Sequence, residues 1–289
     1  MQTTEWNSSR ALAVVVAATL SFALIPGGSA WGQASMDNSG GTINLGGRGW
    51  SAPEGRPDVS ERSTNQFQFE VRGGFATDYI YRGTTLSDHK PAVGAAAEIT
   101  MSGGVRRKIA DINFDLGVTY YLYPGETSVS PSVDYWETAI RADKRISEYV
   151  RVAGGFAYSP NVSNTGAWSW YAAGGVGLEV PSRLLPPDIA VSFTGGAGYS
   201  WFGNQSQEFG GFALPAYLNW QAGATFTRKI FNLDLRYYDT NLSKENCFVL
   251  TGDPNARPGG VINPVTNPEG LTSSWCSTTF VAKIWFALN

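Results

Sequence analysis

Residues 111–126, DINFDLGVTYYLYPGE, alternate between apolar and polar side chains with almost no exception. Ile112, Phe114, Leu116 and Val118 are apolar, while the residues between them are polar or small. A period of two predicts a β-strand with one apolar face and one polar face. A soluble sheet buries its apolar face in a core, whereas a membrane barrel turns that face to lipid and keeps the polar face for its lumen. The stretch alone leaves both possibilities open.

Composition favours one all-β domain. The 289 residues include 34 Gly and 13% aromatic residues but only 16% charged residues. Turn formers recur at even intervals instead of gathering at one linker, which is typical of a single barrel or sandwich. The net charge of −3 provides no long-range field that would attract nucleic acid, so the sequence predicts no nucleic-acid partner.

The N-terminus, residues 1–34, predicts a signal peptide. The apolar run ALAVVVAATLSFALI follows Arg10, and the small residues after Pro26 fit cleavage after Ala30 or Ala34. The run is shorter than the ~20 residues that a spanning helix needs, so export is favoured over an uncleaved anchor helix.

Residues 35–66 are polar, Gly-rich and without periodicity, which predicts a flexible leader. From residue 67 to residue 289 the alternation returns in about ten segments, and twelve strands are possible if a long loop hides a further hairpin. The connections alternate in length: SGGVRR, DKRISE and the pair Arg228–Lys229 are short, whereas Thr240 to Ser274 is long. Short turns on one side and long loops on the other are typical of outer-membrane barrels.

Aromatic residues cluster near the strand ends that meet the long loops, among them Tyr120, Trp168, Trp170, Trp201 and Tyr217. Rings with an apolar body and a polar tip are typical of the belt at a membrane interface. Together with the loop lengths, this predicts a transmembrane antiparallel up-and-down β-barrel whose apolar face contacts outer-membrane lipid.

The polar face of the predicted strands assigns a mixed set of charges to the lumen. The set has seven acids and five bases: Glu70, Arg72, Glu98, Asp111, Asp115, Glu137, Arg141, Arg151, Glu179, Asp234, Arg236 and Lys283. Barrels of ~8 strands are filled by side chains and those of ~16 are open, so ten strands lie near the closed limit. The set fits a narrow channel for small solutes with a weak cation preference, or a lumen shut by ion pairs.

Cys247 and Cys276 lie in the last long polar segment. In an oxidising compartment they are predicted to form a disulfide worth about 3 to 4 kcal/mol in the chain-entropy model. No ligand-spaced histidine or second cysteine pair accompanies them, so the sequence predicts no metal site. It offers no cofactor site either.

The segment DYIYRGTTLSDHKPAVGAAAEI, Asp78 to Ile99, resembles the signature of the TorF family of porins. YYLYPGE, DYWE and LRYYDTNLS, with a cysteine downstream, are similar to later landmarks of that family. The resemblance implies a Gram-negative outer-membrane β-barrel that the barrel-assembly machinery inserts. Such chains usually end in an aromatic residue, whereas this sequence ends at Asn289.

The residues of the family-like segment that we single out are Asp78, Tyr79, Arg82, Gly83 and Asp88. Arg82 is expected either to project as a constriction charge or to pair with Asp78 or Asp88, and the structural role is favoured.

Two further function classes remain. Polar loops fit a closed structural or surface-recognition barrel. The single histidine, His89 beside Asp88, would be the starting point for a barrel enzyme, but spacing identifies no partner carboxylates, so no catalytic residue is predicted.

Overall fold

The computed structural model describes residues 44–45, 48–49, 71–85, 87–93, 99–122 and 134–288. Its strands are β1 (Asn44–Leu45), β2 (Arg48–Gly49), β3 (Val71–Ala76), β4 (Ile80–Tyr81), β5 (Thr84–Thr85), β6 (Ala92–Val93), β7 (Ile99–Ile109), β8 (Ile112–Leu122), β9 (Tyr135–Arg145), β10 (Val150–Ser159), β11 (Ser169–Glu179), β12 (Ile189–Phe202), β13 (Tyr217–Arg228), β14 (Phe231–Thr240), β15 (Arg257–Pro258), β16 (Leu271–Thr272) and β17 (Thr279–Leu288). The α-helix α1 spans Lys244–Thr251, and single 3-10 turns span Val162–Asn164, Ser182–Leu184 and Gln207–Phe209. No helix in these ranges is long and apolar enough to cross a membrane.

One antiparallel sheet contains all the long strands, in the order β6-β3-β17-β14-β13-β12-β11-β10-β9-β8-β7. From β7 to β14 each strand pairs with the next along the chain, and β17 joins β14 to β3. Because β6 contributes two residues, the sheet has ten strands of six or more residues. The predictions of an all-β fold and ten antiparallel strands are confirmed.

The two edges of the sheet are neighbouring segments of the chain. β6 pairs with β3 through Ala92 and Val93, and β7 pairs with β8 from Ile99 onward. Residues 94–98, between β6 and β7, lie outside the described residues. The sheet is therefore open between β6 and β7 in the part of the chain that the structure describes. The predicted signal peptide also lies outside that part, and β1 and β2 pair within the predicted leader.

The apolar face of the sheet is the exposed one. In β8, Leu116 is 53% and Val118 is 49% exposed, whereas Asp115 is 8% and Thr119 is 4% exposed. The same inversion continues across the sheet, where the exposed large apolar side chains include Trp136, Ile140, Phe156, Trp170, Val176, Leu178, Phe193, Phe226, Phe280 and Ile284. Soluble monomers rarely expose a continuous apolar patch of this extent. On β8, β9 and β14 the polar face is the more buried one.

The hairpin between β7 and β8 corrects two predictions. SGGVRR is not a turn but lies inside β7, where its two glycines pair with residues of β8. The chain reverses instead at Ala110 and Asp111, whose φ angles of +49° and +62° are the pair that a type I′ turn requires. Asp111 is therefore a turn residue, 83% exposed and 3.6 Å from Lys108 Nζ, and not a residue of the polar strand face.

The other short connections differ from the prediction by small amounts. Arg228 is the last residue of β13 and pairs with Phe231, so the turn between β13 and β14 is Lys229–Ile230. β9 extends to Arg145, which leaves only part of DKRISE in the turn. Glycine-poor turns give a weak signal in sequence, so boundaries shift by one to three residues.

Two of the loops at the end of the sheet opposite these short turns form the site described below. We call residues 77–90, between β3 and β6, the inner loop, and residues 241–278, between β14 and β17, the cap loop. The cap loop contains the β15–β16 ladder and α1, whose N-cap Ser243 Oγ accepts a hydrogen bond from the backbone N–H of Asn246 at 3.2 Å. The functional residues described below belong to these two loops and to the polar face of the strands.

Candidate functional site

The inner loop lies against the polar face of the sheet. Several of its side chains are buried there, namely Asp78, Ile80, Arg82, Thr84 and Thr85. β4 and β5 pair as a tight hairpin with Arg82 and Gly83 at its centre. Their φ angles are +49° and +84°, as in a type I′ turn, where glycine meets the least steric cost.

Close packing also requires glycine at the tip of this hairpin. A β-carbon on Gly83 would lie 2.5 Å from Thr240 Cγ2 and 3.0 Å from Asn219 Cβ. Thr240 ends β14 and Asn219 lies in β13. The tip of the inner loop is therefore seated directly on these two strands.

Arg82 joins the same tip to more distant strands. Its Nη2 lies 2.7 Å from Glu137 Oε2 on β9, and both side chains are buried, 6% and 1% exposed. The guanidinium carbon lies 4.1 Å from the ring centre of Tyr171 and 4.9 Å from that of Tyr81. The backbone carbonyl of Arg82 accepts a hydrogen bond from Tyr217 Oη at 3.1 Å. The sequence suggested Asp78 or Asp88 as the partner of Arg82 and did not identify Glu137. Arg82 and Glu137 are 55 positions apart in sequence, and only the folded chain brings them together.

Tyr171 forms the platform under the guanidinium. Its hydroxyl donates to Asn219 Oδ1 at 3.2 Å, which holds the ring across the strand that separates β11 from β13. A β-carbon on Gly198 of that strand would collide with the hydroxyl of Tyr171. The glycine thus allows the ring to lie flat against the sheet, with its face toward Arg82.

Asp78 organises the inner loop. Its Oδ1 accepts hydrogen bonds from Thr85 Oγ1 at 2.6 Å and from Ser87 Oγ at 2.7 Å. Its Oδ2 lies 2.8 Å from His89 Nδ1, and His89 Nε2 lies 3.0 Å from the carbonyl oxygen of Ser274. Both ring nitrogens of the histidine therefore face acceptors of the protein itself. This geometry gives His89 a structural role and offers no support for its use as a catalytic base.

The cap loop packs over the inner loop. Trp275 Nε1 donates to Asp88 Oδ1 at 2.8 Å, and the backbone N–H of Thr85 donates to the Trp275 carbonyl at 2.9 Å. Lys90, which donates to the carboxylate of Asp88 at 2.7 Å, and then Trp275 lower the pKa of Asp88 below its usual range. Asp88 thus links the two loops while it is ionised.

The predicted disulfide is confirmed. Cys247 and Cys276 are joined with a Cα–Cα distance of 5.8 Å, and both are buried. The bridge connects α1 to Cys276 at the end of the cap loop, three residues before β17, and Thr240 Oγ1 donates to the Cys276 carbonyl at 2.9 Å. It anchors the cap loop beside the tip of the inner loop.

A second buried ion pair lies farther along the polar face. Asp234 and Arg236 lie on β14 with one residue between them. Arg236 Nη2 is 2.9 Å from Asp234 Oδ1, and both side chains are almost fully buried. Arg236 also donates to Thr194 Oγ1 of β12 at 2.8 Å, and Asp234 accepts from Thr225 Oγ1 of β13 at 2.9 Å. These bonds connect β12, β13 and β14, and none of them involves the inner loop or the cap loop.

The remaining predicted lumen residues occupy varied positions. Glu70 and Glu98 lie outside the described residues, and Arg72 is described only as a backbone position of β3. Asp115 is buried, and Arg141 and Lys283 are partly buried. Near the short turns, Arg151 lies 3.7 Å from Asp143 and Glu179 lies 3.3 Å from Arg145. Tyr79, from the family-like segment, donates its backbone N–H to Ser87 Oγ at 3.0 Å.

Several buried polar atoms on this face lack a hydrogen-bond partner within the described part of the chain. They include Glu137 Oε1, Asn219 Nδ2, Arg236 Nη1, Arg151 Nε and Asn113 Oδ1. Buried polar groups in folded proteins are almost always bonded, either to protein or to ordered water. These atoms therefore mark places where the polar face can bind water or a polar ligand. The described residues contain no group of three or more His, Cys, Asp or Glu side chains that could hold a metal ion.

The sequence missed the aromatic half of this site. Tyr217 belongs to the set predicted as a membrane belt, but it is buried and contacts Arg82. Tyr171 attracted no prediction. The available signal was an aromatic residue at a polar-face position of β11 whose neighbours on that face, Ser169, Ala173, Gly175 and Gly177, are small.

Comparison with known proteins identifies a family. Residues 94–256, more than half of the chain, match the family described as bacterial protein of unknown function (Gcw_chp). A search of curated proteins found no match to the chain. The family description names no activity, and the resemblance to the TorF porins stays a prediction. The chain belongs to the Gcw_chp family of bacterial proteins.

Proposed function

We propose that the chain is an outer-membrane β-barrel that provides a narrow, hydrated pathway for small polar solutes. We further propose that the inner loop closes the mouth of this pathway in the conformation described above. The proposal has three parts: closure of the sheet, its membrane environment and the state of its polar face.

Curvature of the sheet supports closure. One two-residue turn contacts β9 through Arg82 and β14 through Gly83. Those strands are five positions apart in the sheet and would be about 24 Å apart if the sheet were flat. An arginine side chain cannot bridge that distance, so the sheet must curl around the inner loop.

The connection between the two edges supports the same conclusion. β6 pairs on one side with β3, β7 pairs on the other side with β8, and only residues 94–98 separate them. The alternation from Val93 to Ile99 in the sequence predicts a strand there, and such a strand would pair with both neighbours and close a ring of ten strands. Closure removes both unpaired edges, as lipid requires.

The exposed apolar face supports a membrane environment. Leu116, Val118 and the equivalent residues of the other strands would lie against hydrocarbon, where their exposure carries no hydrophobic cost. The resemblance to TorF porins and the predicted signal peptide agree with delivery to the outer membrane and insertion by the barrel-assembly machinery. Lipid is then the main partner of the outer surface.

The polar face supports a hydrated pathway. Both acidic and basic side chains are buried on it, and buried atoms such as Glu137 Oε1 and Arg236 Nη1 need partners that water would provide. At the end of the sheet that carries the long loops, the Arg82–Glu137 bond ties the inner loop to β9, and Gly83 fits closely against β14. The pathway is therefore closed until the inner loop moves.

Planar-bilayer recording of refolded protein tests the proposal. We expect rare, brief openings of the wild-type chain and at least about tenfold more open time for Arg82→Gln, because loss of a buried charge-assisted bond frees the loop. Arg257→Gln, in an exposed part of the cap loop, is the matched control and should behave as wild type. A heat-modifiable band on electrophoresis confirms that each protein has formed a barrel.

A closed structural or surface-recognition barrel is the second candidate, and the burial of the Arg82–Glu137 pair favours it to that extent. It predicts heat-modifiable protein that never conducts, including Arg82→Gln. Absence of heat modification in every variant would instead contradict the barrel itself.

A further inference from the structure

We infer that the wall of the sheet carries a binding site for a guanidinium group, formed by Glu137, Tyr171 and Asn219, and that Arg82 occupies it as an internal ligand. A small solute that bears a guanidinium group would compete with Arg82 and release the inner loop. The inference rests on the proposed function for its link to opening, but the binding site itself does not depend on conduction.

The site has the chemistry that guanidinium groups require. Glu137 supplies a carboxylate whose Oε2 lies 2.7 Å from Arg82 Nη2. Tyr171 supplies an aromatic face 4.1 Å from the guanidinium carbon. A carboxylate in the plane and a ring against the face are the two contacts that distinguish guanidinium from a simple cation.

The wall residues are fixed independently of the inner loop. Glu137 belongs to β9. The hydroxyl of Tyr171 is hydrogen-bonded to Asn219, and the absence of a side chain at Gly198 leaves room for its ring. Arg82, in contrast, belongs to a two-residue turn. The site would therefore persist when the loop leaves, and it would then present a buried carboxylate without its cation.

The second carboxylate oxygen points to a ligand as well. Glu137 Oε1 is buried and has no hydrogen-bond partner in the described part of the chain, and neither has Asn219 Nδ2. Carboxylates bind guanidinium groups best through both oxygens in parallel. A free solute, unlike Arg82 on its short turn, can adopt that bidentate geometry.

The charges around the site favour a cation. With Arg82 withdrawn, Glu137 is the charged group that remains among the wall residues of the site, and uncompensated burial of a carboxylate is costly. A cationic solute removes that cost, whereas a neutral solute of the same shape does not. The substrate class is accordingly small guanidinium compounds, and a simple ammonium group should bind less well.

Isothermal titration of the Arg82→Gln variant in detergent micelles measures the site directly. L-arginine is the probe and L-citrulline, in which a neutral ureido group replaces the guanidinium, is the matched control. We expect arginine to bind at least about tenfold more tightly than citrulline. Glu137→Gln in the same background should abolish that difference, and Tyr171→Leu should reduce it. Equal affinities of the two probes would overturn the inference.

Hydrogen exchange of the wild-type chain is the second measurement and needs no substitution. Arginine should accelerate exchange of the backbone amides of residues 79–85, and citrulline should not. Acceleration by neither or by both would contradict competition with Arg82. This measurement decides the inference if Arg82→Gln gives no heat-modifiable band.

The two proposals fail separately. Arginine binding without conductance in any variant would remove the pathway and leave the site. Conductance of Arg82→Gln without preference for arginine over citrulline would leave the pathway and remove the site. If lysine bound as tightly as arginine, the site would be a general cation site and the assignment to guanidinium would be wrong.

Discussion

Two ion pairs in the described part of the chain, Arg82–Glu137 and Asp234–Arg236, are almost fully buried and differ in what they connect. Arg82–Glu137 joins a loop to a strand across 55 positions of sequence, whereas Asp234–Arg236 lies within one strand. The first pair includes a residue on a two-residue turn, and the second includes residues whose backbones are bonded to strands on both sides. Similar chemistry thus fixes a loop to the sheet in one pair and links neighbouring residues of the sheet in the other.

This difference predicts which pair, when broken, should lower the stability of the sheet and which should affect only the position of the loop. Breaking either pair leaves a buried charge, which costs about 3 to 5 kcal/mol in comparable cases. In the strand pair, relief requires unfolding of the wall. In the loop pair, the proposed departure of the inner loop would expose its arginine to water, so the cost would be limited to the closed conformation.

Asp234→Ala should give the largest effect, because it leaves the Arg236 guanidinium buried without its carboxylate. We expect a loss of about 3 to 5 kcal/mol in the free energy of unfolding, measured by urea titration in detergent. Asp239→Asn is the matched control, since Asp239 lies on the same strand and bonds the more exposed Tyr237. A loss below about 1 kcal/mol for Asp234→Ala would show that the pair is solvated and that the polar face is open at this level.

Cys247→Ser tests the loop side of the comparison. Removing a bridge between residues 29 positions apart should destabilise the cap loop by about 3 to 4 kcal/mol in the chain-entropy model. The loss should appear as faster proteolysis of the cap loop and faster exchange in the inner loop. The urea midpoint of the sheet should not change. An equal loss of sheet stability would mean that the loops and the sheet unfold as one unit.

The sequence predicted the strands of the sheet well and the contacts of the loops poorly. Period-two alternation identified strands such as β8, because a half-exposed strand alternates whatever the rest of the chain does. The glycines in SGGVRR led to the wrong prediction of a turn inside β7, because glycine occurs both in turns and at crowded strand positions. The contacts of Arg82 could not be predicted, because no local pattern records which distant strand a loop will meet. The disulfide was predictable because the sequence has only two cysteines.

Gly83→Ala tests how closely the tip of the inner loop fits against β14, and Gly252→Ala in the cap loop is its control. Both Gly83 and Gly252 have positive φ, but a β-carbon meets Thr240 only at Gly83 and meets nothing within 4 Å at Gly252. Gly252→Ala should cost about 1 kcal/mol, which is the backbone term alone. Gly83→Ala should cost about 1 to 3 kcal/mol more in closure of the inner loop, measured by hydrogen exchange of its amides. Equal effects would show that the loop tip does not fit closely against β14.

Acid should produce the smallest effect, at the contact between the two loops. The pKa of Asp88 is lowered by Lys90 and Trp275, so its contribution to loop stability is fully present above the ordinary carboxyl range. It is lost as pH falls through that range and below the lowered pKa. Trp275 fluorescence should therefore change at acid pH in wild type and not in Asp88→Asn. An acid transition retained in Asp88→Asn would assign it to another group.

The most direct test of the account returns to residues 114–119, where alternation first raised the question of which face meets lipid. Single cysteines carrying spin labels at each position, in protein reconstituted into lipid vesicles, would report oxygen accessibility along β8. We predict maxima at Leu116 and Val118, facing lipid, and minima at Asp115, Gly117 and Thr119. Accessibility without a period of two, or with maxima at the polar positions, would contradict a barrel whose apolar face lies in the membrane.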